Sequence, residues 1–200
     1  MKTQKQGTRE RIIEAGARII HKNGFNNTGL KEILDAADIP KGSFYFYFKN
    51  KEDFGLQVVD HYVAHFGQMA MEILAGTDGS PLMRFRVLHE KFRDFYQAQE
   101  CSLGCPVGNL AQEMGDLSPA FRKRLSNAID GMASMYCSVL AEAQQAGALD
   151  PALDVREVSY FLVSGWHGAL VRMKVTKDIE PLNLFMRMAF ERVLGVPLPE

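Results

Sequence analysis

"KGSFYFYFKNKEDF", from Lys41 to Phe54, decides how this chain is read. Phe44, Tyr45, Phe46, Tyr47 and Phe48 run together without a break between Lys41 and Lys49, behind a Gly and a Ser. At 3.6 residues per turn, one helix face takes only about half of five consecutive side chains. Phe44, Tyr47 and Phe48 share one side. Tyr45 and Phe46 fall on the other, beside Lys41, Gly42 and Ser43. Aromatics left outside a core and flanked by lysines need a reason.

The charge distribution supplies one. Residues 1–51 hold ten Lys and Arg against five Asp and Glu, a balance of +5. Residues 52–200 hold thirteen against nineteen, a balance of −6, so the overall −1 conceals a basic head on an acidic body. Such a head suits an anionic partner. With 46% hydrophobic residues the 200-residue chain has material for a real core. It has no apolar run near the roughly 20 residues that span a bilayer, so no membrane partner is expected. The polar N-terminus shows no signal-peptide pattern, and with it the three cysteines, Cys101, Cys105 and Cys137, predict reduced thiols in the cytoplasm.

The periodicity is helical nearly throughout, which predicts an all-α chain of about nine helices. Thr8 is the expected N-cap of a first helix, with Ile12, Ala15, Ile19 and Ile20 as its stripe and Gly24 as its end. A short second helix is expected from about Thr28 to Ala37, and a third from about Lys41 to Phe48 after the "DIPKG" turn. Asn50 should cap a long fourth helix reaching about Ala75, with Glu52 and Asp53 in its first turn. After a loop at 76–80, helices are expected from about Pro81 to Gln97, Pro106 to Gly115, Ser118–Pro119 to Ala146, Asp154 to Thr176 and Pro181 to Leu194.

Two short helices and a tight turn inside a basic head form a helix-turn-helix pattern. In that pattern Lys41 reaches phosphate or a guanine edge, and Gly42 lets the helix start approach the duplex. The Tyr45 hydroxyl can donate to phosphate and Phe46 can pack on a thymine methyl. Lys51 at the next helix start favours a further phosphate. The alternative is an aromatic mini-core with solvated lysines.

"TGLKEILDAADIPKGSFYFYFKNKEDF" (28–54) resembles the DNA-binding signature of the TetR family of transcriptional repressors, over about residues 8–54. The resemblance implies a three-helix DNA-binding domain at 1–50 and a helical ligand-binding and dimerisation domain at 51–200. It also implies a homodimer on a palindromic double-stranded operator and a small-molecule or electrophile inducer. By the same implication Thr28, Gly29, Lys31, Lys41, Gly42, Ser43, Tyr45, Phe46, Tyr47 and Lys51 are DNA-contact candidates. Family members often carry His or Tyr where this chain has Phe46, which favours apolar contact there.

In the body, "ECSLGCPVGNLAQEM" (100–114) places Cys105 before Pro106, a residue that favours the first helical position. A thiol at a helix N-terminus ionises more readily and reacts with electrophiles and oxidants. Cys101 is a candidate resolving thiol, and the alternative for Cys105 is a small core residue. The segment resembles a branch of TetR-like regulators with a G-C-x-x-x-x-L element, some of which sense electrophiles at that cysteine. The resemblance matches Cys105 to the cysteine and Lys174 to a lysine near the end of the eighth helix. Other members of the branch bind organic ligands without covalent chemistry. Trp166 and His167 are pocket candidates, with ordinary packing as the alternative.

His61 and His65 at i, i+4 lack a third metal ligand, and no cofactor is expected. Gly165, Gly168 and Ala169, with Leu182, Phe185, Met186, Ala189, Phe190 and Val193, suit packing across a two-fold axis or within the chain. An enzyme with Cys105 as nucleophile would need His89 or His167 as base. It has no nucleophile motif and leaves the basic head unexplained, so no catalytic residue is assigned.

Overall fold

The computed structural model describes residues 2–76 and 79–197, with side chains from residue 7 onward; Thr77 and Asp78 of the expected 76–80 loop lie outside the described residues. Nine α-helices and no strand occur among the described residues. They are α1 (Lys2–Asn23), α2 (Leu30–Ala36), α3 (Phe44–Tyr47), α4 (Lys51–Leu74), α5 (Pro81–Ala98), α6 (Pro106–Met114), α7 (Pro119–Gln145), α8 (Val155–Thr176) and α9 (Glu180–Arg187). No helix among the described residues is long and apolar enough to cross a membrane.

Most starts and stops have the expected local causes. Asn50 Oδ1 accepts the Asp53 N–H at 2.7 Å to open α4, and Ser80 and Ser118 cap α5 and α7 in the same way. Asp154 takes the amides of Arg156 and Glu157 at the start of α8, which ends in a left-handed Lys177. Three expectations change. α1 begins at Lys2, so Thr8 lies inside it instead of capping it. α2 starts after Gly29, because the Thr28 hydroxyl turns back to the Gly24 carbonyl at 2.6 Å. The third helix is tighter at its start, with a 3₁₀ turn over Lys41–Ser43 before α3. At the far end α9 widens into a π-helical stretch, Met188–Val193.

Packing divides the chain into two compact units, residues 1–66 with 106–126, and residues 67–105 with 127–200. In the first, Ile12, Ile33, Leu34, Phe44, Phe48, Phe54 and Phe121 are buried. Tyr62 donates its hydroxyl to the Ala17 carbonyl at 2.5 Å, and Arg124 pairs with Asp60. In the second, one core gathers around Phe85, Leu88, Tyr136, Leu140, Leu162 and Phe190. A smaller core joins Tyr96, Cys101, Trp166, Leu170, Met173 and Leu182.

Candidate nucleic-acid interface and sensor core

The aromatic run separates as its spacing predicts. Phe44 and Phe48 are 1% and 2% exposed and meet Phe54 edge-on, at centroid distances of 5.7 and 5.0 Å. Tyr47 is half-buried, while Tyr45 and Phe46 are 69% and 65% exposed. The two outward rings stand with exposed Lys41 and Gly42 and half-buried Ser43, and Lys31 is exposed on α2. This gives one surface with cationic, hydroxyl and apolar groups together, the set that meets phosphates and base edges.

Two candidates are committed within the chain. Thr28 is 1% exposed and its hydroxyl is used at Gly24. Lys51 Nζ donates to the Phe25 carbonyl at 2.7 Å and sits 4.6 Å from the centre of the Phe25 ring. Burial lowers the Lys51 pKa, and the nearby Glu113 carboxylate partly opposes this. Gly29 is exposed immediately before α2. Sequence reasoning missed Glu113, whose carboxylate accepts the Phe25 and Asn26 amides at 2.8 and 2.7 Å. A contact across some 88 residues leaves no periodic signature.

In the second unit the three cysteines are present as thiols. Cys105 directly precedes α6, as expected, and packs against the small core that contains Cys101 and Trp166. Burial raises the phenol pKa values of Tyr96 and Tyr136, and charge on Cys105 raises them further, so the Cys105 sulfur is the electrostatic neighbour of both hydroxyls. The segment before it is conformationally unusual. Glu100, Cys101, Leu103 and Gly104 all have positive φ, from 52° to 74°. For the three non-glycine residues this costs about 1 kcal/mol each or more. Lys174 is exposed on α8, and the ammonium held against this segment is that of Lys177, at 3.0 Å from Ser102 Oγ.

Trp166 is buried edge-on to His89, 5.1 Å between centroids, and to Phe185 at 5.3 Å. His89 lies 2.8 Å from the Phe85 carbonyl through Nδ1 and 3.0 Å from the Tyr136 hydroxyl through Nε2. The carbonyl fixes the proton on Nδ1, so Nε2 accepts from Tyr136. Burial pushes the His89 pKa down to about 4, which keeps it neutral at pH 7. His167 is half-buried, with its pKa also lowered by burial. Leu182, Met186, Ala189 and Phe190 are buried inside the chain, while Phe161, Val171, Val175, Leu184 and Met188 are exposed on α8, α9 and the π-helical stretch. His61 and His65 stack at 6.2 Å, and no group of three metal-ligating side chains occurs among the described residues.

Residues 12–58 match the family model described as "Bacterial regulatory proteins, tetR family", and residues 81–189 match "Tetracyclin repressor-like, C-terminal domain". The chain is 34% identical to the transcriptional regulator AcuR of Cereibacter sphaeroides, over 88% of this chain and 80% of that protein. It is 27% identical to the transcriptional repressor NemR of Escherichia coli K12, over 88% of each chain. The fold is similar to a solved regulatory protein TetR from Rhodobacter sphaeroides, with a TM-score of 0.84, 33% identity, and 90% and 95% of the two chains covered. It is equally similar to reduced Escherichia coli NemR, with a TM-score of 0.84, 25% identity, and 96% and 100% covered. These relatives are regulators and not enzymes. The two family matches, the 34% identical relative and the all-helical fold of the described residues thus meet in one conclusion: this chain belongs to the TetR family of transcriptional repressors.

Proposed function

We propose that residues 1–50 read a palindromic duplex operator as part of a homodimer, and that residues 51–200 release it when a signal reaches the segment 101–105. Lys31, Lys41, Ser43, Tyr45, Phe46 and Tyr47 supply side-chain contacts; Thr28, Gly29 and Gly42 supply main-chain approach; Lys51 orients the loop before α2 through the Phe25 and Asn26 carbonyls and leaves one N–H donor for phosphate. The exposed apolar side chains of α8 and α9 form the surface for a second copy. The repressor works in the cytoplasm, where its thiols stay reduced.

The signal is an electrophile or oxidant at Cys105, with Cys101 as its resolving thiol. The observation that carries this is the place of Cys105: directly before a helix N-terminus, packed against the core that holds Cys101, and electrostatically coupled to two tyrosines. The relative solved in a form named reduced is consistent with such chemistry. With a maleimide, the Cys105 sulfur forms a thioether bond to one carbon of the double bond, whose π pair takes up the thiol proton at the other carbon. The reaction starts from the thiolate, and Lys177, at 3.0 Å from Ser102 Oγ, brings an ammonium to the segment before Cys105. A second reading, a non-covalent organic inducer held near Trp166 and His167, is favoured by the neutral His89–Tyr136 pair among aromatic rings.

Fluorescence anisotropy on the palindrome nearest the protein's own gene tests both. N-ethylmaleimide should release the DNA from the wild-type protein and leave the Cys105→Ser complex intact. Release from Cys105→Ser as well removes Cys105 from the sensing role. A wild-type complex that ignores the reagent moves the signal to the non-covalent reading.

A further inference from the structure

Glu113 lies on the last turn of α6, eight residues beyond Cys105, so one short helix joins the cysteine segment to this carboxylate over about 12 Å. The loop that receives it is shaped for a carboxylate. Gly24 ends α1 with φ +85°, and the Phe25 and Asn26 amides both point at Glu113. A Cβ on Gly24 would come within 3.2 to 3.3 Å of the two carboxylate oxygens, so a side chain there would crowd the clamp as well as strain the backbone. On the other side Lys51 holds the Phe25 carbonyl from the first residue of α4. Asn26 Nδ2 reaches Met114 Sδ at 3.5 Å, and the Thr28 hydroxyl closes the loop at Gly24. α2 begins two residues later, and the aromatic surface follows it in the chain.

We propose that Glu113 is the positioning residue that couples the cysteine segment to the DNA-reading head, by gripping the two amides of the α1–α2 loop. This rests on the reading that the signal arrives at Cys105. The segment before α6 is held in left-handed conformations with better alternatives, so modification at Cys105 has a ready path to a different arrangement. A helix transmits an axial shift with little compression. A charge-assisted hydrogen bond weakens steeply beyond ordinary length, so a displaced α6 either drags the loop or lets it go. In both cases the start of α2 loses its fixed place. Ser118 and Glu52, joined at 2.5 Å, tie the turn after α6 to α4.

The test compares operator affinity with and without N-ethylmaleimide for wild type, Glu113→Ala and Glu113→Gln. The wild-type affinity should fall by a factor in the range of about 5 to 150 that is usual for coupled sites. In Glu113→Ala the factor should shrink below about twofold, with Glu113→Gln between, since its amide oxygen accepts without charge. The ratio is the readout, because a residue that merely supports the fold lowers both affinities and leaves it unchanged. A folded Glu113→Ala that releases DNA by the wild-type factor overturns the clamp and leaves the sensor reading standing. A wild-type protein that holds its DNA under the reagent overturns the sensor reading and the coupling with it. Should Glu113→Ala not fold, hydrogen exchange on the wild type decides. The amides of residues 25 and 26 should exchange faster after alkylation, and unchanged exchange overturns the proposal.

Discussion

His89 should make the stability of this repressor fall as the solution is acidified. The ring is 1% exposed, bonded to the Phe85 carbonyl and the Tyr136 hydroxyl, and walled by Phe85, Trp166, Phe185 and Phe190. Burial dominates its titration and pushes its pKa down to about 4, with the Phe85 carbonyl opposing. In the unfolded chain the value is about 6.5. Between those two pH values the unfolded chain binds one more proton than the folded one, so stability rises with pH through the window and is lost as pH falls from about 6.5 to about 4. The gap of roughly 2.5 units at 1.36 kcal/mol per unit amounts to about 3 kcal/mol. The experiment is urea denaturation at about pH 7 and about pH 4.5, at a single protein concentration so that any assembly contributes equally. Wild type should lose roughly 2 to 3 kcal/mol more than His89→Leu on acidification. The variant has its own penalty, the lost partner of the Tyr136 hydroxyl, but that penalty does not depend on pH in this range. His61 and His167, whose pKa values burial also lowers, titrate in both proteins and drop out of the difference. Equal losses in the two proteins would refute the account of His89 as a buried neutral base.

Two other substitutions separate packing from recognition. Gly55→Ala should destabilise the protein by about 1 to 3 kcal/mol in thermal or urea unfolding, the usual range for overpacking. A Cβ there would lie 2.6 Å from Phe121 Cζ and closer still to Phe25, two buried rings that already meet edge-on at 5.0 Å. Lys41→Ala should leave unfolding unchanged but weaken DNA binding across sequences. It should also reduce the slope of log affinity against log salt by about 0.9 for each lost phosphate contact; an unchanged slope removes Lys41 from the phosphate-contact set.

Much of this molecule is legible in its sequence because much of it is periodic. The helix stripes, the Ser, Asn and Asp caps, and the inward and outward halves of the Phe44–Phe48 run all follow from spacing and local hydrogen-bonding chemistry. Local chemistry also explains the misreadings. Thr8 has the composition of a cap but lies within a polar helix that continues upstream, and Thr28 spends its hydroxyl on the preceding turn. Leu182, Met186, Ala189 and Phe190 are no misreading: spacing left an interchain seam and an ordinary core both open, and within the single chain these four are buried. The coupling groups are illegible for a different reason. Glu113 to Phe25, Lys51 to Phe25, and His89 to Tyr136 join residues 88, 26 and 47 positions apart through single polar contacts. Nothing in the spacing of charged residues says which main-chain amide a given carboxylate will find.

The exposed pair of Tyr45 and Phe46 bears on how the repressor discriminates between sites. On the proposed reading, two kinds of attraction act at one surface and respond unequally to ionic strength. Added salt erodes the lysine contribution, which every stretch of duplex shares. It leaves apolar contact with the bases largely untouched, since water exclusion is little changed at moderate salt. Raising the ionic strength therefore strips away indiscriminate binding faster than correct binding, and the ratio between the two widens even as both complexes weaken. Higher ionic strength would then sharpen selection among sites, with aromatic rings supplying what the ions cannot screen.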